Sequence, residues 1–95
     1  MTTSTPRPTL IVYRRPGCHL CDDAESLLRD ELAQRARAGL PPLSVEHVDV
    51  STDVDLEARY GARIPVFAIG DQEAELVASS RQIRELLERA MPKLV

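Results

Sequence analysis

The sequence predicts an α/β fold of element order βαβαββα, a four-stranded mixed sheet with helices on both faces. Three observations predict it. An apolar strand pattern at Thr9–Tyr13 is followed directly by an amphipathic helical pattern, a two-residue turn signal joins two short strand patterns further on, and a capped amphipathic helix closes the chain.

Thr9-Leu10-Ile11-Val12-Tyr13 is continuously apolar after its first residue, as expected of a central strand covered on both faces. The first helix is expected from Cys18 to about Ala38. Leu20, Ala24, Leu27, Leu28 and Leu32 supply its buried stripe, and Gly39 with Pro41 and Pro42 ends it. Leu43–Val50 reads as the second strand. Leu43 and Val45 share a face, and Val48 and Val50 break that register, which suggests a bulge or an edge position. Thr52 with Asp55 resembles a capping box opening a short helix through Tyr60, closed by Gly61. Ile64–Ile69 and Glu73–Val77 form a hairpin about the Gly70-Asp71 turn signal. Ser79 and Gln82 make a second capping box, and Ile83, Leu86, Leu87 and Ala90 line the last helix.

Composition bounds the possibilities. A chain of 95 residues buries roughly 60–68% of its unfolded surface, enough for one core without disulfide staples. Residues 1–8 read as a flexible tail and residues 9–95 as one domain. The net charge is −3 and the basic residues are scattered rather than striped, so there is no electrostatic footprint for nucleic acid. The apolar run after the polar, proline-punctuated start is too short for a signal peptide or a membrane span, and the expected compartment is the cytoplasm. The expectation is a monomer that binds neither nucleic acid nor membrane.

The chemistry-bearing segment is Cys18-His19-Leu20-Cys21, the only two cysteines of the chain, at a strand-to-helix junction. In a cytosolic chain this placement reads as a redox dithiol, whereas secreted small domains spread their cysteines out. A cysteine at a helix N-terminus has its thiolate stabilised by unpaired N–H groups and the helix dipole, so Cys18 is the expected attacking thiol. Cys21 lies at i+3 on the same face, more shielded, and is the expected resolving thiol. His19 and Leu20 are expected to modulate the pair, a protonated His19 by stabilising the Cys18 thiolate. Arg14 and Arg15 precede the motif, each able to add positive potential or bind a substrate carboxylate, with one of the two expected to be a solvated loop charge. Asp22 and Asp23 fall in the first helical turn, where the dipole favours carboxylates whatever the function. His47 is expected to be a packed or surface residue rather than a ligand.

A strand, helix and parallel strand connect by a right-handed crossover, so the first two strands pair in parallel. If the third strand pairs antiparallel beside the first, Pro65 stands beside Cys18. With that order of elements, the segments RRPGCHLCDDA and RIPVFAI resemble the glutaredoxin branch of the thioredoxin-like proteins, closest to the small glutaredoxin-like domains of bacteria. The resemblance covers almost the whole chain. It implies a thioredoxin-like fold, thiol–disulfide oxidoreductase activity on protein or low-molecular-weight disulfides, and a cis-Pro65 facing the dithiol. Such a bend turns the Ile64 N–H and C=O toward an extended substrate. A reductase or thiol reductant must then regenerate the dithiol, and no bound cofactor or metal is expected.

The chain departs from the resemblance at one place. Glutathione-binding glutaredoxins carry Gly-Gly and then acidic residues before the last helix, where this chain has Ala78-Ser79-Ser80-Arg81. Ser79, Ser80 and the helix N-terminus remain able to bind an anionic group, and Arg63 is a candidate carboxylate contact. Glutathione or another low-molecular-weight thiol is the co-substrate under consideration, with a thioredoxin-reductase-like partner as the alternative. Gly17 and the absence of Trp favour the glutaredoxin-like branch over thioredoxin itself.

Metal binding is the main competing class. Copper-chaperone domains hold Cu(I) on a C-x-x-C, but usually in a βαββαβ order with Met before the first cysteine, where this chain has Arg-Pro-Gly. A zinc site needs two more ligands, and His19 and His47 do not fall at finger spacing. No residue motivates a shared iron–sulfur cluster. A redox-inactive thioredoxin-like module is the third class, against which the retained thiols argue.

Overall fold

The structure, a computed structural model, describes residues 8–91; the segment read as a flexible tail, Pro8 apart, and residues 92–95 lie outside the described residues. The elements are β1 (Thr9–Arg14), α1 (His19–Arg37), β2 (Ser44–Asp49), α2 (Val54–Tyr60), β3 (Val66–Ile69), β4 (Gln72–Ala74) and α3 (Ser80–Ala90), with a single 3₁₀ turn at Val50–Thr52 ahead of α2. This is the expected order. The strands form one mixed sheet in the order β2-β1-β3-β4. β1 and β2 run parallel from Thr9↔Ser44 to Arg14↔Asp49, β1 and β3 antiparallel through Tyr13↔Val66, and β3 and β4 antiparallel through Phe67↔Ala74.

Two apolar clusters divide between the faces of the sheet. Leu10, Val12, Phe67 and Ile69 meet Ala24 and Leu28 of α1 and Ile83, Leu86 and Leu87 of α3. Val50, Tyr60 and Val66, with Tyr13, Leu56 and Ile64 against them, fill the other face beneath α2. Covering on both faces is why β1 and β3 are apolar almost without alternation. It also explains β2. Val45 packs toward the first cluster and Val48 falls on the opposite parity; β2 is an edge strand in continuous parallel register, so the apparent break needs no bulge.

Helix ends follow their capping chemistry. At the C-terminus of α1, Gly39 adopts φ +73°, and the amides of Gly39 and Leu40 bond back to Ala36 O and Arg35 O, the Schellman arrangement. The capping box at α3 forms as expected between Ser79 and Gln82. The expected Thr52–Asp55 box at α2 does not. Asp53 is the cap, its carboxylate accepting from the amides of Asp55 and Leu56, while Thr52 Oγ1 turns back to donate to Asp49 O. A carboxylate one residue closer to the helix takes the orphan amides first. β3 begins at Val66 rather than Ile64, and β4 covers Gln72–Ala74 rather than Glu73–Val77. Beyond Ala74 the chain bends to run past residues 63–65, with Leu76 N donating to Arg63 O and Val77 N to Pro65 O.

One position in the α1 stripe differs from expectation in each direction. Leu20 is 62% exposed, whereas Glu31 is only 4% exposed. The buried stripe is Cys21, Ala24, Leu28 and Glu31, one residue out of phase with Leu20. Glu31 is admitted because Arg84 of α3 donates to it at 2.7 Å. Arg84→Met is expected to cost about 1–3 kcal/mol in urea unfolding, since it leaves a buried carboxylate without its donor. A loss below about 0.5 kcal/mol would place the pair with ordinary surface ion pairs.

Candidate functional site: a dithiol at a helix N-terminus

Cys18 is the N-cap of α1, in extended backbone (φ −85°, ψ 104°), and its Sγ accepts the Cys21 amide at 3.2 Å. The sulfur therefore occupies the place that a serine or aspartate oxygen takes at ordinary helix starts, aimed at the unpaired amides. Cys18 is partly exposed and Cys21 is fully buried. The two stand at disulfide distance with Cα atoms 5.2 Å apart, within the usual range for a bridge. Gly17 at φ +75° turns the chain from the end of β1 into this helix start, a conformation that glycine adopts at little cost.

Ile64 and Pro65 come to the same end of the sheet, because β3 starts where β1 finishes: Tyr13 pairs with Val66. The Ile64–Pro65 peptide bond is cis and Pro65 is fully buried. The flanking carbonyls of Arg63 and Pro65 are taken by Leu76 and Val77. Among the described residues no hydrogen bond engages the Ile64 N–H or C=O.

The arginines are more tied than expected. Arg14 lies between Asp22, at 2.8 Å, and Glu25, and these two carboxylates raise its already high pKa, Asp22 foremost. Arg15 donates to Glu57 at 2.7 Å and to Gly61 O at 3.1 Å, fastening the dithiol loop to α2. Neither is a solvated loop charge, which corrects that expectation for whichever of the two it concerned. Arg63 donates to Arg59 O, lies near Glu73 and Glu75, and stacks over Tyr60.

Exposed His19 stands 3.3 Å from Asp23, so the imidazole next to Cys18 already faces a carboxylate. His47 is a surface residue paired with Glu25. Ser79 spends its hydroxyl on the capping box, and the amides of Ala78 and Ser79 both donate to Gln82 Oε1. The anion-binding capacity expected at Ser79 and half-buried Ser80 is correspondingly reduced. Among the described residues no group of three or more His, Cys, Asp or Glu side chains is arranged to hold a metal ion.

Two features were not anticipated from sequence. Glu25 gathers Arg14 and His47 from two different strands; its position four residues past Cys21 was the only hint. Tyr13 and Tyr60 stack with ring centroids 3.9 Å apart, joining the end of β1 to α2. Burial, then the neighbouring Tyr13 and Glu73, push the Tyr60 hydroxyl up to about 12. The unfolded chain releases that proton near 10. The contribution of Tyr60 to stability is therefore constant below about pH 10 and falls as pH rises from 10 to about 12, where the unfolded state holds fewer protons than the folded one. A tyrosinate absorbance titration should show a phase near 12 that Tyr60→Phe removes. A Tyr60 midpoint at the ordinary value would contradict the packing described.

A mixed sheet ordered β2-β1-β3-β4, with a C-x-x-C dithiol opening its long first helix, defines a thioredoxin-like protein of the glutaredoxin type. The chain belongs to the family described as Glutaredoxin-like domain (DUF836), whose match spans residues 9–91. Among solved structures it is similar to target protein XcR50 from X. campestris, at 32% identity and TM-score 0.64, covering 85% of this chain and 97% of that one. Protein Ne2328 from Nitrosomonas europaea, at 23% identity, TM-score 0.60 and 90% and 96% coverage, shares the fold. So does a malarial protein at 11% identity, TM-score 0.57 and 90% and 98% coverage. No curated protein matches the sequence.

Among the described residues no helix is long and apolar enough to cross a membrane.

Proposed function

We propose that this protein is a cytoplasmic, monomeric thiol–disulfide oxidoreductase that reduces protein or low-molecular-weight disulfides. The observation that carries the reading is the asymmetry of the pair: Cys18 partly exposed at the helix N-terminus, Cys21 fully buried behind it. The reduced Cys18 thiolate attacks one sulfur of the substrate disulfide, forming a Cys18–substrate bond and releasing the other sulfur as a thiolate that takes a proton from solvent. Cys21, losing its proton, then attacks Cys18 Sγ. The Cys18–Cys21 bond forms and the second substrate thiol leaves, so two electrons pass from the protein to the substrate.

Ile64, with its free N–H and C=O, offers main-chain pairing to an extended substrate beside Pro65. Arg15, Arg14 and Arg63 supply positive potential at this end of the sheet, tempered by their carboxylate partners. His19 and Leu20, between the cysteines, tune the potential of the pair. A thiol, glutathione or another of low molecular weight, or a reductase returns the two electrons. A glutathione carboxylate bound at Ser79 and Ser80 would compete with the capping box for their donors.

The test is a redox titration of the Cys18–Cys21 pair in thiol buffers, with disulfide reduction assayed separately with glutathione and with thioredoxin reductase. A reversible two-electron couple and turnover with either donor are expected. A pair that neither oxidises reversibly nor exchanges with an added disulfide sinks the proposal.

A further inference from the structure

We infer that the dithiol end of the sheet is a docking surface for a cationic, apolar segment of a protein client, preferred over an anionic small disulfide. This deepens the oxidoreductase reading and rests on it. The large exposed hydrophobic side chains among the described residues are Leu20, Val54 and Leu76, at 62%, 86% and 55% exposure. All three stand at one end of the sheet. Leu20 lies inside the C-x-x-C. Val54 opens α2, which Arg15–Glu57 and the Tyr13–Tyr60 stack hold against the end of β1. Leu76 is bonded through its amide to Arg63, just before Ile64 and Pro65.

Leu76 also adopts φ +49°, a left-handed conformation that leucine disfavours and that asparagine or glycine tolerates. A backbone that leucine disfavours and an exposed apolar side chain thus coincide beside Arg63, Ile64 and Pro65, and that coincidence at the dithiol end is what points to a contact surface.

Charge decides what kind of molecule. Each of these side chains has acidic neighbours: Asp22 and Asp23 after Leu20, which face Arg14 and His19, Glu75 before Leu76, which faces Arg63, and Asp53 and Asp55 around Val54, which among the described residues face no cationic side chain. Residues 49–57 carry four acids and no Lys or Arg. The nearby guanidiniums of Arg14, Arg15 and Arg63 already face carboxylates of the chain. An incoming carboxylate must compete for them, whereas an incoming Lys or Arg meets exposed Asp53 and Asp55. Apolar side chains framed by acids fit a polypeptide that alternates the two complementary properties.

The experiment uses the reduced protein and three substrates: the neutral disulfide of 2-mercaptoethanol, and two synthetic peptides whose single cysteine is in a disulfide with 2-mercaptoethanol, flanked by Arg and Leu in one and by Glu and Leu in the other. Each second-order rate constant is divided by that for free dithiothreitol, which removes intrinsic reactivity. The Arg–Leu peptide should react at least about tenfold faster than the Glu–Leu peptide, with the preference shrinking in about 0.5 M salt. In the variant Val54→Ser/Leu76→Asn, the ratio of the Arg–Leu peptide rate to the neutral-disulfide rate should fall about tenfold. Equal rates on the two peptides, or an unmoved ratio in the variant, overturn the docking surface while the oxidoreductase reading stands. Failure to reduce the neutral disulfide overturns the oxidoreductase reading itself.

Discussion

Replacing Cys18 with serine is expected to lower disulfide exchange below detection while leaving the fold intact. The hydroxyl is not ionised at neutral pH and does not attack a disulfide, so the first covalent step is lost. Serine is nonetheless among the best N-cap residues, and its Oγ can accept the Cys21 amide that Cys18 Sγ accepts now. Function and folding are thereby separated at one atom. Cys21→Ser gives the complementary result. Cys18 still attacks, but nothing resolves the product, and a mixed disulfide accumulates that intact-mass measurement detects as the added substrate thiol. Exchange that survives Cys18→Ser, or a Cys21→Ser protein that captures no thiol, would remove the roles assigned to the pair.

What sequence could and could not reveal follows from the range of each interaction. β1, α1, α3 and the α3 capping box rest on periodicity and on partners within a few residues, and they stand as expected. Sequence alone does not decide the α2 cap, because Thr52 and Asp53 are both competent caps and the choice depends on the 3₁₀ turn that draws Thr52 Oγ1 back to Asp49. Leu20 and Glu31 exchanged roles because hydropathy cannot anticipate Arg84, 53 positions away, reaching across to neutralise a buried carboxylate. The arginine pairings were hidden for the same reason, Arg15 finding Glu57 at a separation of 42 residues. The dithiol is legible from its own spacing and its strand-to-helix junction, whereas Pro65 stands beside it only if β3 pairs with β1, which the order β2-β1-β3-β4 shows and crossover handedness alone does not fix. Charges and exposed apolar side chains around them depend on third and fourth elements, which no local pattern encodes.

Phe67→Ala is expected to be the most destabilising single truncation, at about 3–5 kcal/mol in urea unfolding. Phe67 is the only phenylalanine of the chain, is 0% exposed, and pairs with Val12 on one side and Ala74 on the other. Its ring lies in the cluster where the sheet meets α1 and α3, so the cavity it leaves is walled by three elements that cannot all move inward together. Small domains have a total stability of about 5–15 kcal/mol, so this loss brings the variant close to unfolding. Phe67→Leu keeps most of the volume and should lose under about 1.5 kcal/mol. The consequence reaches the site, because Ile64 and Pro65 lead directly into β3 while β1, its partner, leads into the loop to Cys18. Loosening that pair separates the two sides of the site, so Phe67→Ala should exchange disulfides more slowly even at temperatures where most molecules remain folded. A Phe67→Ala protein that loses less than about 1 kcal/mol would mean that the core closes over the missing ring, contrary to the packing of three elements around it.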